Sequence, residues 1–97
     1  MAEAKTRPPR KVSVDVQDNE ENRPVIEAIE EDNPEATVMR MPGLVKIQTE
    51  GTLTIRRETV EKHLGREWET LEFQLAIVSM SGNLDLEEDE ITLAWRR

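Results

Sequence analysis

Valines at 12, 14 and 16 alternate with Ser13 and Asp15, and this two-residue period predicts a strand with one buried face. Asn22-Arg23-Pro24 follows, with the proline suited to the first turn of a helix. Val25, Ile26, Ala28 and Ile29 then form an apolar stripe with Glu27, Glu30 and Glu31 outside it. Pro34 biases Asn33 away from helical geometry, so this helix should end near Asp32. Ala36 to Met41 reads as a second strand, stopped by Pro42-Gly43. Leu44 to Thr49 reads as a third, with Val45 and Ile47 on its buried face and Glu50-Gly51 as a tight reversal after it.

The same order then starts again. Leu53 and Ile55 alternate with Thr52, Thr54 and Arg56 in a strand. Glu58 to Leu64 reads as a short helix, with Glu58 and Lys62 able to pair on its outer face. Gly65 is placed to stop it. The pattern of 66–72 is ambiguous, with another helical turn around Trp68 and Leu71 as the reading it offers. Phe73 to Met80 is an almost unbroken apolar run, read as a buried strand. Ser81-Gly82-Asn83 turns the chain, Asp85 to Glu90 makes an acidic loop, and Ile91, Leu93 and Trp95 alternate in a last strand. Both halves read β-α-β-β. Each helix has a single apolar stripe and must cover sheet, so the expected fold is α+β: duplicated β-α-β-β units forming a small two-layer single domain.

Composition narrows the function classes. Residues 1–11 carry Lys5, Arg7, Arg10 and Lys11 against Glu3, a sum of +3, within a total of -8, so the rest of the chain sums to -11. With Pro8 and Pro9 this segment reads as a flexible N-terminal arm, leaving 12–97 as the folded domain. A body of that sign lacks the clustered cations that phosphate binding needs, which argues against nucleic acid and against an anionic membrane surface. It suits a basic or mixed-charge protein partner. The chain has no cysteine, which removes disulfides, thiolate nucleophiles and cysteine-ligated metal sites together. No apolar stretch approaches the ~20 residues of a membrane helix, so the expected location is cytoplasmic.

Reactive chemistry is sparse. His63 is the only histidine and has no nucleophile at catalytic spacing, and one histidine cannot build a two-histidine iron site. Asp85 to Glu90 fails as a calcium loop, because Glu90 stands where a glycine is needed and Arg96 where a bidentate glutamate is. Gly43, Gly51, Gly65 and Gly82 are too widely separated for a phosphate-cradling loop. No cofactor is expected. What remains is surface: Met39 and Met41 share one face of the second strand, and Ser79-Met80-Ser81-Gly82-Asn83 sets small polar residues directly after a hydrophobic run.

The stretch from Arg23 to Pro34 (RPVIEAIEEDNP), followed by Pro42-Gly-Leu-Val-Lys-Ile, resembles the coupling or effector proteins of bacterial multicomponent diiron monooxygenases. So do Leu53 to Glu69 (LTIRRETVEKHLGREWE) and the ending Ile91-Thr-Leu-Ala-Trp-Arg-Arg, with the phenol hydroxylase branch the nearest. The resemblance spans about residues 22–97 and rests on many positions in order. It implies a fold of two β-α-β-β units and a cofactor-free, non-catalytic regulator. Such a regulator binds the diiron hydroxylase component, tunes oxygen activation, substrate access and electron delivery, and competes with the reductase component. It also implies an interface. Ser79, Met80, Ser81 and Gly82, with Asn83 adjoining, match a small-residue segment that faces the hydroxylase in the methane monooxygenase relative, and Asn33, Met39 and Met41 are further interface candidates. Two other classes make different demands. A small-molecule-binding regulatory module of duplicated α+β fold needs an enclosed pocket, and a cofactorless enzyme needs His63 or a buried carboxylate in a cleft.

Overall fold

The computed structural model describes residues 10–95. The strands are β1 (Lys11–Gln17), β2 (Thr37–Met41), β3 (Leu44–Glu50), β4 (Thr52–Arg56), β5 (Ile77–Ser81), β6 (Asn83–Leu86) and β7 (Glu90–Ala94). The helices are α1 (Arg23–Asp32), α2 (Arg57–Leu64) and α3 (Phe73–Ala76), the last preceded by a 3-10 turn at Thr70–Glu72. All pairings are antiparallel, in a four-stranded sheet of order β2-β3-β1-β5 and a three-stranded sheet of order β4-β7-β6.

The duplication is real in topology. In β1-α1-β2-β3 the first strand pairs with the last and the middle strand lies outside it; β4-α2-β6-β7 repeats that arrangement. The second unit carries an insertion, residues 66–81, which holds the 3-10 turn, α3 and β5 and sends β5 back to pair with β1 of the first unit. One core joins everything. Val12, Val14 and Val16, with Val45 and Ile47, come from the larger sheet, and Leu53, Ile55, Ile91 and Leu93 from the smaller. The α1 stripe of Val25, Ile26, Ala28 and Ile29 packs on both, as its period requires.

Several expectations need correction. Phe73 to Met80 is not a buried strand: its first four residues are helical, and Leu75 and Val78 are 85% and 57% exposed. Glu69 and Glu72 each bond the other's backbone in a capping box, which nucleates the turn, and Phe73 and Ala76 then reach the core at helical spacing. An unbroken apolar run carries no period that distinguishes the two conformations. Glu50-Gly51 and Ser81-Gly82-Asn83 are not hairpin turns, because each carries the chain from one sheet to the other. Asp85 and Leu86 belong to β6, so the acidic loop shrinks to the β6–β7 turn, where the Glu87 amide donates to the Glu90 carbonyl at 2.9 Å.

Lys62 does not pair with Glu58 along its own helix. It crosses to Glu31 on α1, with Nζ–Oε2 at 2.6 Å. Trp95 lies just past β7 and is 39% exposed, although Ile91 and Leu93 are buried as expected. Its indole Nε1 donates to the Lys11 carbonyl at 2.9 Å, and the Arg10 guanidinium sits 4.4 Å from its ring centroid. Of the expected 1–11 arm, Lys11 opens β1 and residues 1–9 lie outside the described residues.

Candidate functional site

Register decides which side chains share a face, since directly opposed residues of an antiparallel pair point the same way. One side of the four-stranded sheet carries Val38, Ile47 and Val14 toward the helices and core. The other side carries two polar rows across all four strands. The first runs Thr37–Gln48–Ser13–Ser81 and the second Met39–Lys46–Asp15–Ser79. Met41, opposite Leu44, extends this face along β2. Met39, Met41, Ser79 and Ser81, which stand far apart in sequence, therefore come to one side of one sheet. The methionines occupy one edge and the serines the other, about 14 Å apart at three strand spacings.

The centre of this face is tied down. Ser79 donates its hydroxyl to Asp15 Oδ2 at 2.5 Å, linking β5 to β1 beside a bulge that lets Val78 stand out of register. Asp15 Oδ1 is buried and makes no hydrogen bond, so the Ser79 contact is what holds this carboxylate. Met39 and Met41 are 46% and 40% exposed, the adaptable apolar margin of an otherwise polar surface. Met80 has the opposite parity: it stands beside Val14 on the core side, yet is 41% exposed because β5 is an edge strand.

The remaining candidates have work inside the fold. Gly82 lies where β5 passes into β6, with φ +133; a Cβ there would meet Leu93 Cδ1 at 3.1 Å and Val12 Cγ1 at 3.2 Å. Glycine lets the strand slip between the two sheets. Asn83 pairs with Ala94 in the smaller sheet. Asn33 caps α1 and uses its amide fully: Nδ2 donates to the carbonyls of Ile29 (2.8 Å) and Thr54 (2.6 Å), while Oδ1 accepts the Thr54 amide (2.9 Å). Its neighbour Asp32 accepts the Arg56 amide (2.8 Å) and the Thr59 hydroxyl (2.9 Å). Together they clamp the end of α1 onto the β4–α2 junction and cap α2 from outside its own chain segment. The sequence signal was Asn33 before Pro34 at a helix end, which marks a cap as readily as a contact.

His63 lies between α2 and α1. Its Nε2 is 2.7 Å from Glu31 Oε1 and its Nδ1 3.4 Å from Glu27 Oε1, with no nucleophile in the cluster. Hydrogen bonds from Lys62 and then His63 hold the Glu31 carboxyl below its ordinary pKa. The Trp68 amide, ahead of Arg57, does the same for Glu61. Among the described residues no three His, Cys, Asp or Glu side chains are placed to hold a metal ion. One surface groove among the described residues lies between α3 and the 17–22 loop, lined by Asn22, Val25, Trp68, Leu75 and Ala76. No helix among the described residues is long and apolar enough to cross a membrane.

Residues 10–94 match the MmoB/DmpM family. The stimulatory component DmpM of phenol 2-monooxygenase from Pseudomonas sp. (strain CF600) is 42% identical over 85 residues, 88% of this chain and 94% of the relative. A chain in a solved phenol hydroxylase–regulatory protein complex superposes with a TM-score of 0.84 at 39% identity, over 90% of this chain and 100% of that one. The soluble methane monooxygenase regulatory protein B shares the fold, with a TM-score of 0.72 at 18% identity over 94% of this chain and 69% of its own. Two β-α-β-β units, the inserted β5 and an identity of 42% through the folded region converge on one assignment. This chain belongs to the MmoB/DmpM family.

Proposed function

We propose that this chain is the non-catalytic stimulatory component of a multicomponent phenol-type monooxygenase, and that it acts by docking on the hydroxylase component. The observation that carries this reading is the 42% identity to a phenol 2-monooxygenase stimulatory component, extending over 94% of that relative. The match to a chain of a phenol hydroxylase–regulatory protein complex supports the choice of partner. The docking face is the outer side of the four-stranded sheet together with the β5–β6 crossing. Met39, Met41, Ser79, Ser81 and Asn83 make contact, Met80 borders them, and Gly82 and Asn33 fix the backbone that presents them. The protein favours one hydroxylase conformation by binding it more tightly than another, since a ligand moves an equilibrium only by its difference in affinity. In that conformation oxygen activation, substrate access and electron delivery are tuned. The reductase component competes for an overlapping surface, and the assembly works in the cytoplasm.

The test is titration of the chain into purified phenol-type hydroxylase and reductase, following product formed per NADH consumed. The ratio should rise to a plateau near one chain per hydroxylase active site; a flat titration rejects the reading. Ser81→Arg, on an exposed strand end, should lower the effect at limiting protein and leave the circular dichroism spectrum intact. Unaltered coupling by this variant moves the docking face elsewhere.

A further inference from the structure

The 66–81 insertion is what the second β-α-β-β unit has and the first lacks. Its inward residues, Trp68, Phe73 and Ala76, fill the core. Its outward ones do the opposite. Leu71 is 63% exposed, Leu75 85%, Val78 57% and Met80 41%, and this one segment holds four of the seven large hydrophobic residues left exposed among the described residues. Scattered exposed leucines are ordinary, but a run in one short segment marks a contact surface. Leu71 and Leu75 stand four residues apart across the turn into α3, and Val78 is pushed out of register by the bulge in β5.

The strand itself is unusual among the sheet edges. Four described strands lie at an edge: β2, β4, β5 and β6. Arg40, Arg56 and Asp85 place a charge on the first two and the last, and β5 (IVSMS) alone carries none. Folds normally blunt open edges with charge to prevent unwanted pairing. An uncharged edge preceded in the chain by two exposed leucines has the character of a surface that a partner covers. Its border is negative: residues 66–81 hold Glu67, Glu69 and Glu72 against Arg66, and Arg66 Nη2 lies 3.6 Å from Glu72 Oε1.

We propose that Leu71, Leu75, Val78 and Met80 form the apolar anchor of the hydroxylase contact, seated in a hollow of that partner bordered by lysine or arginine. The proposal rests on the hydroxylase-docking reading above and assigns it an energetic centre that lies beside the polar sheet face. Continuity along the chain supports the choice of occupant, because Val78 and Met80 flank Ser79 on the strand that forms one margin of the docking face. The negative border of Glu67, Glu69 and Glu72 is what calls for lysine or arginine around that hollow.

The experiment uses the full chain and purified hydroxylase in isothermal titration. Leu71→Glu/Leu75→Glu should raise Kd by at least about tenfold, and Leu75→Ser should raise it by a smaller factor, as expected when anchor side chains leave a desolvated pocket. Both variants should keep the wild-type spectrum and melting midpoint, because these side chains face solvent in the free protein. Wild-type binding with unchanged affinity in both variants overturns the anchor and leaves the docking reading standing. A wild-type chain that does not bind hydroxylase at all removes the docking reading itself. If sedimentation shows a wild-type dimer that becomes monomeric in the double variant, these side chains serve a second copy and the proposal is overturned.

Discussion

Asn33 bonds three backbone groups from two elements, so its loss leaves the Thr54 amide and carbonyl without their partner. Asn33→Ala should lower unfolding free energy by about 1–3 kcal/mol in urea titration, the cost of stranding partly buried polar groups. A midpoint equal to wild type would show that water replaces the amide. Gly82 predicts a similar loss from a different cause. Gly82→Ala adds a methyl 3.1 Å from Leu93 in a left-handed backbone, and should lower the melting midpoint measurably. Trp95 works the other way. With its ring 39% exposed, Trp95→Ala should cost clearly less than the roughly 3–5 kcal/mol of a buried tryptophan. Denaturant titration of the three variants gives the ranking directly.

Between elements, the contact of α1 with α2 is ionic at its surface. Glu31 accepts from Lys62 and His63 across that contact, and Glu61, away from it on α2, accepts the Trp68 amide and Arg57 Nε, so both carboxyls ionise below their ordinary range. A carboxyl whose folded pKa is depressed stabilises the fold above its unfolded pKa and loses that contribution as pH falls through the folded value. Stability should therefore decline from about pH 5 downward, and Glu61→Gln should show a shallower acid decline in thermal midpoints. An identical acid slope would mean that this carboxyl does not take part.

The elements themselves were largely legible in the sequence, because each Val or Ile alternation and the α1 stripe had a clear period. The helical start of the 73–80 run was not, because Phe73, Gln74, Leu75 and Ala76 offer no alternation and the deciding contact is the reciprocal Glu69–Glu72 cap. The candidate surface was only half legible. Its residue types were visible, and Met39 meets Lys46 across a local hairpin, but the register that places Ser79 beside Asp15 is set by a pairing between distant parts of the chain.

At the scale of the molecule, charge acts at a distance. With -8 overall and -11 beyond residue 11, encounter with a partner of basic rim should be fast at low ionic strength and slow as salt rises. Stopped-flow association rates against NaCl should fall more steeply than dissociation rates change. A salt-independent association rate would assign recognition to shape alone.

The lending of β5 to the sheet of the other unit has a further consequence. The longest-range pairing, β1 with β5, joins the first strand to residues more than sixty positions later, and it straddles the Gly51 crossing. A peptide bond broken at Gly51 should therefore yield two pieces that neither separate in native gel filtration nor fold when prepared singly, but regain the native spectrum when mixed. The slowest-exchanging amides should lie in β1, which β3 of its own unit and β5 of the other flank, rather than be shared equally between the two repeats.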